Sequence, residues 1–383
     1  MINCHSMVEH KKLLSILSLV GVFSMSISIM GCLLKPEESS QTETSASSDA
    51  SDVSASSESE PAEGSEASGE TEVSDPTVAT THKEQDIITV SFIGDVTLCS
   101  EAKSTGGEKS FEYVVDNDRN YCFQNCADIF KADDLTIANL EGAVTEATEH
   151  KDKEFVFAMP PETLKMLSTA GIDAVNLANN HTMDFYEKGY TDTTFNLYCE
   201  GITWSDQNTA ATYQVGDYTI GMFGICDWDN INLAYSRISE LKEMGCDIII
   251  ATAHWGDEAK YLPNDKQIYL GHNLIDHGVD IVVGGHPHRL QPIEKYNGKW
   301  IAYSISNFCF GGNLWLSDPD SVILQCKFVM DSESGNCVDY RLTCIPYCQT
   351  SSVGNDFCPV PYEWGSEKYY RVLSRLGWSQ EDE

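Results

Sequence analysis

Residues 281–288 read Ile281-Val282-Val283-Gly284-Gly285-His286-Pro287-His288. An apolar, small-residue run that ends on two histidines describes a buried strand stopping at a polar pair. In an extended chain residues i and i+2 project to the same side, and Pro287 restricts φ between them, so both imidazoles are expected to lean toward one point. That is metal-ligand geometry, although an HxH pair alone is met equally as two surface histidines. The rest of the chain repeats the arrangement several times: an apolar strand, then a polar residue suited to a metal.

From residue 86 onward strand-like and helix-like patterns alternate, which favours an α/β domain. Residues 87–93 form a β-rich run ending at Gly94-Asp95. A carboxylate where a central strand stops suits catalysis or metal binding, and Asp is also a good helix cap. Apolar positions at helical intervals over 121–132 precede a strand over 135–140 that ends at Asn139-Leu140-Glu141-Gly142. Glu terminates strands poorly by propensity, which favours a ligand role for Glu141. Pro160 and Pro161 open a helix whose apolar set is Leu164, Leu167 and Ala170, closed by Gly171. A strand over 172–178 then runs into Asn179-Asn180-His181-Thr182-Met183-Asp184. Two amides and an imidazole are costly to bury unless each finds a partner, which a metal or a substrate oxygen would supply; a polar turn is the alternative.

A helix over 186–200, a short strand over 202–204, a hairpin of 213–215 and 218–224 turning at Gly216-Asp217, and a helix over 238–244 follow. The strand over 247–253 ends at His254-Trp255-Gly256-Asp257, and a helix over 265–277 leads back to the opening strand. Asn297-Gly298 joins 291–296 to 299–305 in a hairpin whose end, Ser306-Asn307-Phe308, is expected to line the pocket. Strands over 322–330 and 340–345 and an amphipathic helix over 366–376 complete the pattern.

Before the domain come two other segments. Lys11 and Lys12 precede the apolar run 13–30, which closes at Ile29-Met30-Gly31-Cys32. This reads as a secretory signal over 1–31 that leaves Cys32 first in the mature chain. It resembles a bacterial lipoprotein signal, in which that cysteine is lipidated, and an uncleaved membrane anchor is the alternative. Both place the remainder outside the cytoplasm, at the extracellular face of the cell membrane. Residues 32–86, rich in Ser, Glu, Thr, Ala and Asp, cannot bury enough apolar surface to order themselves and read as a disordered acidic tether.

The formal charge of −35 is shared between tether and domain, and no basic stripe appears, which argues against nucleic acid as a partner. An anionic polymer would meet repulsion too, unless a bound metal or the local cluster Lys151, Lys153 and Arg289 offsets it. Twelve of the 14 cysteines lie beyond Cys32. They are compatible with disulfides in an oxidising setting or with small buried thiols in an anaerobic one. A zinc ribbon is disfavoured because no pair of CxxC units exists.

Gly94-Asp95, Asn139-Leu140-Glu141, Ala178-Asn179-Asn180-His181-Thr182, His254-Trp255-Gly256, Gly285-His286-Pro287-His288 and Tyr303-Ser304-Ile305-Ser306-Asn307-Phe308 occur in this order. Together they closely resemble the CapA (PgsA) type of poly-γ-glutamate capsule biosynthesis protein, over about residues 87–350, with 351–383 left as a C-terminal extension. That family is similar to the calcineurin-like metallophosphoesterases, so the resemblance implies a four-layered α/β/β/α sandwich with a two-metal site at the strand ends. It implies that Glu141, Asn180, His254 and His286 surround one metal, with Glu141 bridging, and that Asp95 and His288 serve the other. His181 would stand beside the substrate as acid or hydrogen-bond donor. Asn179, Asp184, Asn307 and Arg289 are the candidate substrate contacts.

Carboxylate, amide oxygen and imidazole suit Mn, Fe or Zn, and a metal pair can activate water and polarise the bond being cut. Four departures from the expected pattern stand out. Thr97 occupies the place of a histidine in Asp95-Val96-Thr97, which predicts one tight and one weak metal. Glu141 is longer than the usual Asp. Ser100 stands where Arg often follows the first motif, and Ser306 where Gly is usual. The expected function is a surface-anchored metallohydrolase acting on an amide or phosphoester bond of an anionic envelope polymer such as poly-γ-glutamate. The alternative is a non-catalytic polymer-binding component of a capsule synthesis and export complex, partnered with a polyglutamate synthetase. A domain that keeps these polar strand ends for packing alone would leave each of them to cost about 1–3 kcal/mol if unsatisfied.

Overall fold

The computed structural model describes residues 85–101, 106–116 and 118–379. The signal, Cys32 and nearly all of the acidic tether lie outside the described residues. Gln85 and Asp86, at the tether's end, already belong to the first strand.

Alternate residues of that strand, Gln85–Thr97, turn Ile88, Val90 and Phe92 to one side, as the pleat requires. They meet Ile220, Met222, Ile248, Ile250, Ile281 and Val283 of a second sheet in a central core. The far side of the first sheet is covered by the helices Leu164–Ala170 and Tyr186–Glu200, through Leu164, Leu167, Ala170 and Leu197. The far side of the second is covered by Ile231–Glu243 and Asp265–Asp276, through Ala234, Ile238, Leu241, Leu270 and Leu274. Helix, sheet, sheet and helix thus make the four expected layers.

In the first sheet Gln85–Thr97 runs parallel to Leu135–Leu140, which continues to Ala174–Asn176 and Thr203–Ser205, and antiparallel to Asp320–Asp331. In the second, Tyr218–Cys226, Ile248–His254, Ile281–Gly285 and Lys299–Ile305 are parallel neighbours. Ligand sites of open α/β sheets form at the carboxyl ends of parallel strands, and here both sheets send those ends to one edge. The C-terminal segment is woven into the same unit. Val360–Pro361 extends the first sheet, and Glu367–Leu376 puts Val372, Leu373 and Leu376 into the central core.

Several local expectations are corrected. The helical pattern over 121–132 yields only the single turn Ala127–Phe130. Asp118 accepts from the Asn120 amide N–H and the Gln124 side chain donates to Tyr121 O, local bonds that compete with a helical ladder. The strand over 172–178 contracts to Ala174–Asn176, because the Asn176 side chain accepts from Ala178 N–H and turns the chain. The helix expected over 238–244 starts at Ile231, capped by Asn230. All twelve cysteines among the described residues are free thiols. Among the described residues no helix is long and apolar enough to cross a membrane.

Candidate metal centre

The first strand does not stop at Asp95 but runs on to Thr97, sandwiched in register between Asn139 and Asn307. Gly94 makes this approach possible, since a Cβ there would lie 1.8 Å from Ser306 O. Asp95, Asn139 and Asn176 consequently form a polar row across three parallel strands. Asn139 Nδ2 donates to Asp95 Oδ1 at 2.7 Å, and Asn176 Nδ2 donates to Asn139 Oδ1 at 2.9 Å.

Asp95 is fully buried. Its Oδ2 accepts from the His286 backbone N–H at 3.2 Å and lies 3.4 Å from His288 Nδ1. Burial alone would raise its pKa, but the hydrogen bond and charge of His288, together with the Asn139 hydrogen bond, outweigh it and hold the group at about 2. Reciprocally, burial would lower the pKa of His288, yet the bond to Asp95 and the Glu141 charge carry it up to about 9. The extended geometry expected for His286-Pro287-His288 is corrected here. Both histidines take positive φ, 91° and 52°, because the chain turns to lay the His286 N–H on Asp95. Each such position costs about 1–3 kcal/mol, offset by the buried carboxylate. The two rings still converge, with centroids 6.1 Å apart.

Glu141 is set by Thr97, whose hydroxyl donates to Glu141 O at 2.6 Å, and by its own N–H on Val96 O. Thr97 therefore spends its hydroxyl proton on a carbonyl and braces the centre. The Glu141 carboxylate is fully buried and neither oxygen has a hydrogen-bond partner. Burial and the nearby Asp95 charge push its pKa up to about 8. Oε1 stands 3.7 Å from His181 Nε2 and 4.0 Å from His254 Nε2.

His254 is held between two amides, with Asn139 Nδ2 3.2 Å from Nδ1 and Asn180 Oδ1 3.0 Å from Nε2. Burial pushes its pKa far down, so the ring is neutral. Its centroid is 4.6 Å from that of His286, whose buried Nδ1 has no partner. Asp95, Glu141 and His288 each present a donor atom within 4.8 Å of the others. All six residues singled out as metal ligands are thus brought together. Two carboxylates, three imidazoles and an amide oxygen fit a divalent cation. The unpartnered Glu141 oxygens and His286 Nδ1 are the atoms such an ion would satisfy.

His181 stands beside this set. Its Nδ1 is 2.8 Å from Asp184 Oδ2, and Asp184 is further held by Lys153 Nζ at 2.7 Å and the Phe157 N–H at 3.1 Å. Burial would raise the pKa of Asp184, but His181 and Lys153 outweigh it and keep the group ionised. Of the candidate substrate contacts, Asp184 holds His181 through this bond. Asn179 shapes the turn, donating to Leu140 O and accepting from the His181 N–H. Asn307 Oδ1 lies 2.6 Å from His288 Nδ1, and Arg289 donates to His288 O and Ser317 Oγ. Ser100 is bound to the Phe111 N–H, away from these groups.

Sequence reasoning missed Asn139, Lys153 as the partner of Asp184, and Trp228, whose ring lies edge-on 6.2 Å from His254 and 6.3 Å from His286. Asn139 carried a signal: an amide near the end of a mostly apolar strand, two residues before Glu141. Trp228 carried none, because its loop approaches the histidines only in three dimensions.

The profile of the bacterial capsule synthesis protein PGA_cap family matches residues 89–312. The chain is 32% identical over 266 residues to the PGA biosynthesis protein CapA of Bacillus subtilis (strain 168), covering 63% of this chain and 67% of that one. It is 26% identical over 274 residues to the capsule biosynthesis protein CapA of Bacillus anthracis, covering 64% of each. The chain thus spans about two thirds of the length of these relatives. A crystal structure titled a novel phosphatase, from Mycoplasma pneumoniae, aligns with a TM-score of 0.43 and 14% identity over 69% of this chain and 95% of that chain. With the motifs in order and the match covering more than half of its length, this chain belongs to the bacterial capsule synthesis protein PGA_cap family.

Proposed function

We propose that this chain is a metal-dependent hydrolase of poly-γ-glutamate capsule biosynthesis, acting on an amide or phosphoester bond of an anionic envelope polymer. The two Bacillus relatives are named for PGA and capsule biosynthesis, which supports the polymer. The observation that carries the chemistry is Glu141, sealed from water with both carboxylate oxygens unpartnered beside three histidines and Asp95. Asp95, Glu141, Asn180, His254, His286 and His288 would hold Mn, Fe or Zn. Bound there, divalent cations supply Lewis acidity that polarises the bond being cut.

The chain's own residues do the rest. Asp184 fixes the His181 tautomer by accepting from Nδ1–H, which leaves Nε2 as the atom that exchanges a proton at the site. Phe157, 4.6 Å from His181, and Phe310, 5.3 Å from His288, form an apolar wall that limits water. A bound cation would also offset the repulsion between an acidic chain and an acidic polymer. We place the domain at the extracellular face of the cell membrane, held through lipidated Cys32 and the acidic tether and working beside a polyglutamate synthetase.

The test is turnover by the purified chain. Metal content is measured, then release of phosphate from an aryl phosphate and of glutamate from poly-γ-glutamate, with and without chelator. The reading stands if turnover disappears with chelator and in His254→Ala and His286→Ala. Polymer retention without turnover in the metal-loaded protein would replace it with the scaffold reading.

A further inference from the structure

His288 presents a donor to the candidate metal centre from a left-handed backbone position, φ 52°. What holds that conformation from outside is a chain of charged contacts reaching the C-terminal helix. Arg289 donates from Nη1 to His288 O at 2.6 Å and from Nη2 to Ser317 Oγ at 2.7 Å, and its Nε lies 3.9 Å from Asp318 Oδ2. Asp318 is buried and accepts from Arg375 Nη1 at 2.8 Å on each oxygen. The Tyr261 hydroxyl donates to Asp318 Oδ2 at 2.8 Å. The guanidinium groups of Arg375 and Arg289 lie 4.9 and 5.8 Å from the Tyr261 ring. The helix itself is anchored independently, by Val372, Leu373 and Leu376 in the central core and by Arg371, whose Nε and Nη2 bind Asp320 at 2.8 and 2.6 Å.

We infer that Arg375 is a positioning residue for His288, acting through Asp318 and Arg289. This rests on the metal-centre reading. The geometry separates two jobs on one helix face. Arg371 reaches Asp320 alone and docks the helix, whereas Arg375 also reaches Asp318 and so the loop that carries Arg289. Charge explains why the relay needs Arg375. Without it, Asp318 keeps only Arg289 and Tyr261 as side-chain donors, and Arg289 is drawn off the His288 carbonyl toward the bare carboxylate. Ser317, Asp318, Asp320, Arg371 and Arg375 all lie beyond residue 312, where the family match ends. The relay therefore joins Tyr261 and Arg289, inside the matched residues, to Ser317, Asp318 and Arg375 beyond them.

The test compares full-length wild type, Arg375→Met and Arg371→Met. Both variants keep a long stem and lose one charge. Mn2+ affinity is measured by calorimetry, and backbone hydrogen exchange of the peptide spanning residues 284–290 is followed by mass spectrometry in chelator. Supporting residues behind metal ligands are worth about 10–100-fold in affinity. Arg375→Met is expected to bind Mn2+ about 10-fold more weakly and to exchange faster at residues 286–289, while Arg371→Met stays within about twofold of wild type in both. Equal Mn2+ affinity and equal exchange in Arg375→Met and wild type would overturn the inference, as would an equal loss in both variants, which marks general loosening. If wild type binds no Mn2+, the metal reading falls. The exchange experiment, which needs no metal, then still decides whether Arg375 holds the His288 loop.

Discussion

Glu141 Oε1 stands 4.0 Å from Nε2 of His254, both side chains fully buried, with no hydrogen bond joining them. A carboxylate in that position is a net liability until something binds it. Ligands that bind only the folded state stabilise it by about 2.7 kcal/mol at 100 times Kd. In a domain of this size, with an unfolding entropy of about 2.1 cal/mol/K per residue, that corresponds to about 4–5 °C in Tm. Saturating Mn2+ or Zn2+ is therefore expected to raise the wild-type Tm by that much and to leave Glu141→Gln nearly unmoved. Equal shifts in the two proteins would remove Glu141 from the centre.

The same carboxylate sets a pH dependence in the chelated protein. Burial, then Asp95, raises its pKa from 4.5 to about 8. Between those values the unfolded chain has lost the proton and the folded chain keeps it, so this group's contribution to stability falls as pH rises from 4.5 to 8. His288 acts in the same direction. With a folded pKa of about 9 against 6.5, its stabilisation is complete below 6.5 and lost as pH rises through 9. Glu141→Gln removes the first of these effects. The variant's Tm advantage over wild type should widen from pH 5 to pH 8 in chelator, as scanning calorimetry would register. A constant gap would mean that Glu141 ionises normally. Because a cation must displace protons held by Glu141 and His288, Mn2+ affinity is expected to rise over the same interval.

Gly94 and Ser306 make opposite predictions about one contact. Asp95 N–H donates to Ser306 O at 3.1 Å, and a Cβ on Gly94 would fall 1.8 Å from that oxygen. Gly94→Ala must therefore part the two strands, with an expected loss above about 3 kcal/mol together with metal binding. Ser306 takes φ 65° and its buried hydroxyl oxygen has no partner. Both are costs that glycine avoids, so Ser306→Gly is expected to gain about 1 kcal/mol. Denaturant melts of the two variants check both signs, and a destabilised Ser306→Gly would show that the hydroxyl has a role at the site.

The clustering of the six polar side chains was legible because each follows an apolar run, and an apolar strand ending in Asp, Glu, Asn or His is a local pattern. The four layers were legible for the same reason: period-2 strands such as 87–93 alternate with apolar helical stripes such as Leu164, Leu167 and Ala170. What the sequence concealed depends on partners distant in the chain. The Asp95–Asn139–Asn176 row needs the register of three strands. The turned conformation of His286 and His288 needs Asp95 as an acceptor 191 residues away. The bracing role of Thr97 was not legible because its target, the Glu141 carbonyl, follows a neighbouring strand. The grip of Arg375 on the site loop passes through two side chains that share no motif.

On the proposed reading, variants of His181 and Asp184 separate proton transfer from metal binding. The His181 ring is held with Nδ1 on Asp184 and Nε2 3.7 Å from Glu141, and its contacts place it beside the donor set. Removing a positioned acid or base costs about 10²–10⁴ in rate. His181→Ala should therefore lose kcat on that scale while Mn2+ affinity stays within a few-fold. Asp184→Asn should lose less, because an amide still fills the space but no longer dictates which ring nitrogen carries the proton. It also leaves Lys153 without its carboxylate, so a stability loss of about 1–3 kcal/mol should accompany the drop in kcat. Steady-state kinetics beside calorimetry on the same preparations distinguishes the two. If His181→Ala kept kcat and lost Mn2+ instead, His181 would be a ligand, and the proton at this centre would have to move through another group.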